Sequence, residues 1–468
     1  MFLLSRCNRI GIGLLTVFGF AFLTFSANGQ EKETIELKLY ARGVPELVDS
    51  VRLLPVQNEL RKGNAAVVYL RMPWEQRNFM NSYPAKLKGW MDLDYNAPEV
   101  IEAEGVFEHF VQQMRRAAYM EDAEWEYPIG EEPIVSILLP DVQGMRQFMG
   151  RVLGLWVGVQ IERGDLENAR EGILIQFASA IHLCRTPFGV TNLIGISITD
   201  IAFDRFQILI QQKQAENFYY ALGLLPETLG DMAEIFELEA SFLEGSLPSL
   251  TTPYPPIGDP AWNKAAKEFS AVASMLSRDP ISPYDGAAFY LRMLFHSQTA
   301  LLEMGEFSEE QIKKMGKDEI IGRWILAQAK QFNSRRLAST LLPLPEQIQE
   351  LIEIEKQVKA LQEQLKAPAT PFASIGVEAF VGLHRFNRKA RLHQVIEAIR
   401  DYASKHDNQL PDSLDDIELF VPLDSLTGKP FNYKLEGDKA TLSAADIPNV
   451  ADAVNNRFPV FRLEIIKE

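Results

Sequence analysis

The chain has 468 residues, of which 47% are hydrophobic, 24% charged and 10% aromatic, a composition that excludes bulk disorder and collagen-like or low-complexity chains. Its 63 acidic residues outnumber 47 basic ones, giving a net charge of −16, whereas a duplex-binding protein needs a basic face. Two cysteines cannot build a disulfide framework, and the length predicts about two or three domains.

The first 29 residues are set apart from the rest. Arg6 and Arg9 precede an uncharged apolar stretch from Ile10 to Phe25, and Ala27-Asn28-Gly29 offers small residues before Gln30. This is the three-part pattern of a secretory signal peptide, so export to a periplasm or beyond is expected. The alternative is an uncleaved anchor, but a spanning helix needs about 20 apolar residues and this run is shorter. Cleavage would remove two arginines and Cys7, leaving 45 basic against 63 acidic residues, a charge of −18, and Cys184 as the only thiol. Later segments lack an uncharged run of membrane-spanning length, so the mature chain is expected to be soluble.

Residues 30–366 read as a helical body. Helices are expected over Glu46 to Leu60, interrupted near Pro55, and over Val106 to Met120, where Val106, Phe110, Met114 and Ala117 follow helical spacing. Glu121 to Glu132 reads as an acidic loop. Gln143 to Glu162 and Leu166 to Cys184 read as two helices broken at Gly164-Asp165. Glu162-Arg163-Gly164-Asp165-Leu166-Glu167-Asn168-Ala169 resembles the turn of a tetratricopeptide-type helix pair: glycine closes one helix, an acid starts the next, and alanine allows close approach. Thr191 to Gln212 and Leu229 to Leu243 continue the helices. The proline-rich stretch 246–286 reads as a long crossing loop or lid with one helical stretch at Trp262 to Met275. Ala287 to Met304 and Ser308 to Leu341 follow as helices. Leu351, Ile354, Val358, Leu361 and Leu365 then form a short seam, best placed in a helical hairpin.

Residues 367–376, with Ala367-Pro368-Ala369-Thr370-Pro371, read as a linker. In 377–468 the pattern changes. Leu392, Val395, Ile396, Ile399 and Ala403 form a helix face. Phe431, Tyr433 and Leu435 alternate as a strand, Glu436-Gly437-Asp438-Lys439 turns it, and Phe461, Leu463 and Ile465 alternate near the end. The fold class expected is therefore mainly α: a helical-repeat-like, tetratricopeptide-like body with a small C-terminal α+β module.

Glu397-Ala398-Ile399-Arg400-Asp401-Tyr402-Ala403, Leu410-Pro411-Asp412-Ser413-Leu414-Asp415-Asp416-Ile417 and Val421-Pro422-Leu423-Asp424-Ser425-Leu426-Thr427-Gly428-Lys429-Pro430-Phe431-Asn432-Tyr433 occur in that order. This tail resembles the C-terminal part of type II secretion pseudopilins, in which a helix ends before a leucine-proline turn and leads to a hairpin. Ser425 stands where that pattern has proline, and the module lies at the far end of a large chain. The resemblance implies a shared fold and permits a calcium site near Asp424, with helix capping and surface charge as the alternative for Asp412, Asp415, Asp416 and Asp424. The whole chain also resembles a set of uncharacterised exported proteins of Planctomycetes. The matching residues are Lys62-Gly63-Asn64-Ala65-Ala66 with Tyr69, Asn192-Leu193-Ile194-Gly195-Ile196, and Asn217-Phe218-Tyr219-Tyr220-Ala221-Leu222 before Leu225-Pro226. That resemblance implies no activity.

Familiar chemical motifs are missing: H-E-x-x-H, C-x-x-C, a phosphate-binding loop, a dinucleotide glycine pattern and G-x-S-x-G do not occur. Gly195-Ile196-Ser197-Ile198-Thr199 is half a nucleophile elbow inside a helical run, so Ser197 is expected to pack. His182 and Cys184, two apart on a helix, point to opposite sides. His109, His182, His296, His384, His393 and His406 contain no pair at helical metal spacing. The acidic loop lacks calcium-loop spacing, and Trp156, Phe188, Phe203 and Asn217-Phe218-Tyr219-Tyr220 are expected to serve the core. Catalytic, cofactor-binding and metal-binding residues are therefore assigned to none. The reading favoured is an exported, non-catalytic scaffold whose partner is protein and not nucleic acid. The alternatives are a hydrolase of unrecognised type with a site in the helical body, and a component of a secretion or pilus-like assembly.

Overall fold

A computed structural model of the protein describes residues 32–75, 94–129, 142–250, 253–276, 283–366 and 376–467. The expected signal segment 1–29 and nearly all of the expected linker lie outside them. The order begins β1 (Thr34–Leu39), β2 (Arg61–Asn64), α1 (Ala65–Glu75), α2 (Pro98–Ala118) and β3 (Met120–Asp122). Then come α3 (Val142–Met145), a π-helical turn (Arg146–Val152), α4 (Leu153–Glu162), α5 (Leu166–Cys184), α6 (Gly189–Leu209) and α7 (Tyr219–Gly223). Next are α8 (Met232–Gly245), α9 (Ala261–Leu276), α10 (Pro283–Glu303), α11 (Glu309–Lys314), α12 (Lys317–Ser339) and α13 (Leu344–Leu365). The last are α14 (Val377–Lys405), β4 (Asn432–Glu436), β5 (Lys439–Ser443), α15 (Asp452–Asn455) and β6 (Val460–Ile465). The protein is thus mainly helical with a small sheet completed at its C-terminal end.

Two helical expectations are corrected. Glu46 to Leu60 forms turns and bends, not a helix. Its side chains take over the local backbone bonding: Ser50 Oγ donates to the Leu47 carbonyl at 2.8 Å, and Arg52 Nε donates to the Asp49 carbonyl at 2.7 Å. Ser308 to Leu341 divides at Met315-Gly316, where both residues are extended. Ser308 starts the first piece with a reciprocal capping box to Gln311.

The described residues group into two units. The larger takes them from Ala27–Glu126, Leu139–Asp231 and Phe380–Glu468. At its centre α4, α5 and α6 pack consecutively. Asp165 caps α5 by accepting the Asn168 N–H, and Gly164 adopts φ +74° to make the turn. A Cβ on Gly172 would lie 2.4 Å from Val157 Cγ2, so glycine sets the approach of α5 to α4.

The same unit holds a four-stranded sheet in the order β1-β6-β5-β4. β1 runs parallel to β6, with Thr34 opposite Val460 and Leu39 opposite Ile465, and the other pairs are antiparallel. The buried side of these strands carries Leu37, Leu39, Ala440, Leu442, Phe461 and Leu463. The tail sheet therefore incorporates residues from the beginning of the described chain, and Phe380–Glu468 shares one unit with them.

The smaller unit takes its described residues from Tyr127–Leu138 and Met232–Ala379. Here α12 and α13 form a hairpin bridged by an Arg335–Glu350 ion pair at 2.7 Å, with Leu351, Ile354, Val358 and Leu365 buried. The proline-rich segment expected as a lid is anchored to α12. Glu319 accepts the Gly258 N–H at 2.9 Å, and Arg323 donates to the Pro255 carbonyl at 2.9 Å while stacking over Trp262.

Candidate functional site

The polar chemistry of the larger unit collects on α14. Helix periodicity identifies the apolar face of α14, yet Arg388, His393, Glu397, Arg400 and Asp401 are also buried. Burying such groups is costly unless each is paired, and each has found partners. Arg400 Nη1 reaches both Glu397 carboxylate oxygens at 2.8 and 2.9 Å, and the two side chains are fully buried. Nη1 also donates to the Glu216 carbonyl at 3.0 Å, and Nε and Nη2 of Arg400 donate to the carbonyls of Tyr40 and Ala215 at 3.1 Å. Glu397 also accepts the Phe218 N–H at 3.0 Å, and Asp401 accepts the Val44 N–H at 2.9 Å. Two distant chain segments, 40–44 and 215–218, are thus tied to one helix.

About three turns before Arg400, Arg388 donates to Asp424 at 2.8 Å and to the Ala445 carbonyl, and lies over the Phe458 ring. The Asp424 carboxylate also accepts the Thr427 hydroxyl at 2.6 Å and the Leu426 N–H at 3.1 Å. A guanidinium therefore occupies the place beside Asp424 that the pseudopilin resemblance permits for calcium. Asp412, Asp415 and Asp416 do not join it. Asp416 instead pairs with the Ser413 N–H in a cap at 2.8 Å. Ser425, the departure from the pseudopilin pattern, has a buried Oγ without a hydrogen bond. Among the described residues, no three His, Cys, Asp or Glu side chains are grouped to hold a metal ion.

His182 and Cys184 go to separate partners. Tyr69 Oη lies 3.1 Å from His182 Nδ1 and 3.2 Å from Ser179 Oγ, while Trp125 Nε1 donates to the His182 carbonyl at 2.9 Å. Cys184 Sγ faces the Asn192 carbonyl at 3.6 Å, and burial pushes its thiol pKa far up, which makes it an inert core residue. A tyrosine thus separates Ser179 from His182, and all three are shielded from solvent. Ser197 is satisfied by its own helix, donating to the Ile194 carbonyl at 2.8 Å. Trp156, Phe188, Phe203, Phe218 and Tyr219 are buried. Of the acidic loop, Glu121 and Asp122 belong to β3, and residues 130–132 lie outside the described part.

The three segments Lys62–Tyr69, Asn192–Ile196 and Asn217–Pro226 acquire a structural account. Each contains an asparagine that binds backbone elsewhere. Asn64 exchanges two hydrogen bonds with the backbone of Glu124 at 2.7 and 3.0 Å. Asn192 donates to the carbonyls of Thr186 and Phe188 at 2.7 and 3.0 Å. Asn217 donates to Arg42 at 2.8 Å and to Glu397 at 2.9 Å. These asparagines are junctions of the fold.

Two further arrangements carry no motif. His393 stacks on Phe203 at 5.0 Å, meets Phe206 and Phe461 edge-on, and borders a space of about 10 Å³ with Gln207, Arg388, Lys389 and Phe458, room for about one water. Half-buried Asp200 on α6 receives Arg385, within hydrogen-bond reach, and Lys389 at 2.8 Å. These cations hold the Asp200 carboxyl below its usual range against the effect of burial. Arg146 and Arg151 of the π-helical turn belong to the same neighbourhood. Neither the π turn nor this convergence has a sequence signal, because the π segment reads as ordinary helix and the charges lie far apart in the chain. No protein-family model, curated protein or solved structure matches the chain.

Proposed function

We propose that the protein is exported and acts by binding another protein, without chemistry of its own. One observation carries the binding reading. Leu224, Phe420 and Leu423 are 63%, 74% and 46% exposed, on two segments held side by side. Tyr219 Oη donates to the Phe420 carbonyl at 2.6 Å, and Arg391 joins the Leu423 carbonyl to Glu227 at 3.1 Å from each. Apolar side chains clustered on a surface and bordered by an ion pair have the make-up of an interaction site, with an apolar centre and a polar rim. The buried polar groups of α14, by contrast, are committed to holding the fold. The α4–α5 hairpin with its Gly164-Asp165 turn supports a helical-repeat-like organisation of the body. The pattern of residues 1–29 supports export.

The partner expected is a protein presenting apolar side chains. Immobilised wild-type chain should retain a protein from an exported extract that the doubly substituted Leu224→Ser/Phe420→Ser chain loses, with circular dichroism showing both equally folded. Retention of nothing by the wild type, or of the same proteins by both, would overturn the reading.

A further inference from the structure

Arg146 is a poorly compensated charge among the described residues of the larger unit. It opens the π-helical turn Arg146–Val152 and is half-buried. Its Nε is shielded from solvent and has no hydrogen-bond partner, and among the described residues its guanidinium makes neither a hydrogen bond nor an ion pair. An arginine in that position normally meets an acid, because removing its charge from water without compensation is costly. The acid facing it, Asp200, is already taken by Arg385 and Lys389. Arg151 adds a further positive charge and, among the described residues, is bonded only to the neutral Gln147, at 3.1 Å.

The local balance runs against that of the chain. Arg146, Arg151, Arg385 and Lys389 gather about Asp200, and the exposed Asp204, one turn on along α6, has Lys389, Arg205 and Glu33 nearby, so among these described residues five positive charges meet three negative ones in a protein of net charge −16. Burial and the repulsion of Arg151 and Arg385 hold the Arg146 guanidinium below the usual arginine range, with Asp200 opposing. The backbone here is also unusual. π-helical turns are rare and concentrate at functional sites. This one is held by Gln176, whose side chain donates to the carbonyls of Met149 and Gly150 at 3.3 and 3.0 Å. Gly150 gives it close contact with Ile201, since a Cβ there would lie 2.8 Å from Ile201 Cδ1.

We propose that Arg146, Arg151 and Arg385 bind a phosphate-class oxyanion, whose charge takes the place of the acidic partner that Arg146 lacks among the described residues. Guanidinium forks suit such an anion because they offer paired donors in a plane. Asp200, fixed by Lys389, orients Arg385 for the task. The anion is either free or a phosphoryl group on a larger molecule.

The full chain is titrated with inorganic phosphate at constant ionic strength, chloride being the balancing anion. Binding is followed by the ³¹P line width and by thermal melting. Wild type should broaden the phosphate signal and melt about 5 °C higher at a hundredfold excess over Kd. Arg146→Gln should fold normally, melt in chloride no lower than wild type because it removes a half-buried charge without an ion-pair partner among the described residues, and bind phosphate at least tenfold more weakly. Arg151→Gln should also weaken binding, whereas Arg116→Gln, a change of equal charge at an exposed site, should leave it intact. Phosphoserine binding more tightly than phosphate would identify a phosphoryl group on a larger ligand, and phosphate binding alone would identify the free anion. The proposal is overturned if wild type does not respond to phosphate, if Arg146→Gln responds equally, or if Arg116→Gln loses binding to the same degree.

Discussion

Replacing Arg400 by alanine should destabilise the larger unit by about 3–5 kcal/mol, measured as a lower urea midpoint with an unchanged slope. The side chain is fully buried, and its guanidinium serves Glu397 and the carbonyls of Tyr40, Ala215 and Glu216. Alanine would leave the Glu397 carboxylate in the core without its cation and would orphan the carbonyls, and unmade buried hydrogen bonds cost more than made ones return. Arg400→Lys should recover little, because one ammonium cannot reproduce a planar fork with five donors. The paired change Glu397→Leu/Arg400→Met should cost clearly less than the two single changes added together, giving a coupling of about 2 kcal/mol or more. Additive effects would show that the two groups do not form a unit.

Acid should unfold the protein steeply between pH 6.5 and 4, and three buried histidines are the reason. His182, His384 and His393 are each 6% exposed or less, and burial lowers each from an ordinary value of 6.5 to about 4. For His182 the nearby positive charge of Arg185 acts in the same direction. For His393 the Lys389 charge lowers the value further, while the contact with the Lys389 carbonyl opposes it. The unfolded chain takes up these protons first as pH falls. The stabilisation is therefore complete above the unfolded value near 6.5 and is lost as pH drops toward 4. At pH 5 each group contributes a loss of about 2 kcal/mol, or about 6 kcal/mol together. Urea denaturation from pH 7.5 to 4.5 should show a slope approaching three protons in the steepest part. A slope of one proton or less would mean that these rings are charged in the folded state.

The legible and illegible parts of this fold divide by the range of the interaction that makes them. α5 runs from Leu166 to Cys184 as its pattern indicates, because Gly164 and Asp165 mark its start locally. The β4–β5 hairpin is equally local: Gly437 turns it at φ +67° between alternating residues. β1 has the same alternation in Ile35, Leu37 and Leu39, yet its pairing is invisible because Glu36 meets Arg462 from 426 positions away. The charges of α14 mislead in another way. Nothing in a run holding Arg388, Glu397, Arg400 and Asp401 signals burial, and only the tertiary structure supplies the carbonyls and N–H groups that allow it. The candidate anion site was hidden for both reasons, since it joins a π turn without a sequence signature to residues of two other helices.

Phe380–Glu468 shares one unit with the beginning of the described chain and is not a detachable module. Amide hydrogen exchange tests this directly by comparing Thr34–Leu39 with Val460–Ile465. If the parallel β1–β6 pair and the Arg400 contacts to Tyr40, Ala215 and Glu216 belong to a single unit, both strands should open with the same free energy and respond equally to urea. Rapid exchange throughout β1, with β4, β5 and β6 still protected, would contradict it and restore the tail as an independent domain.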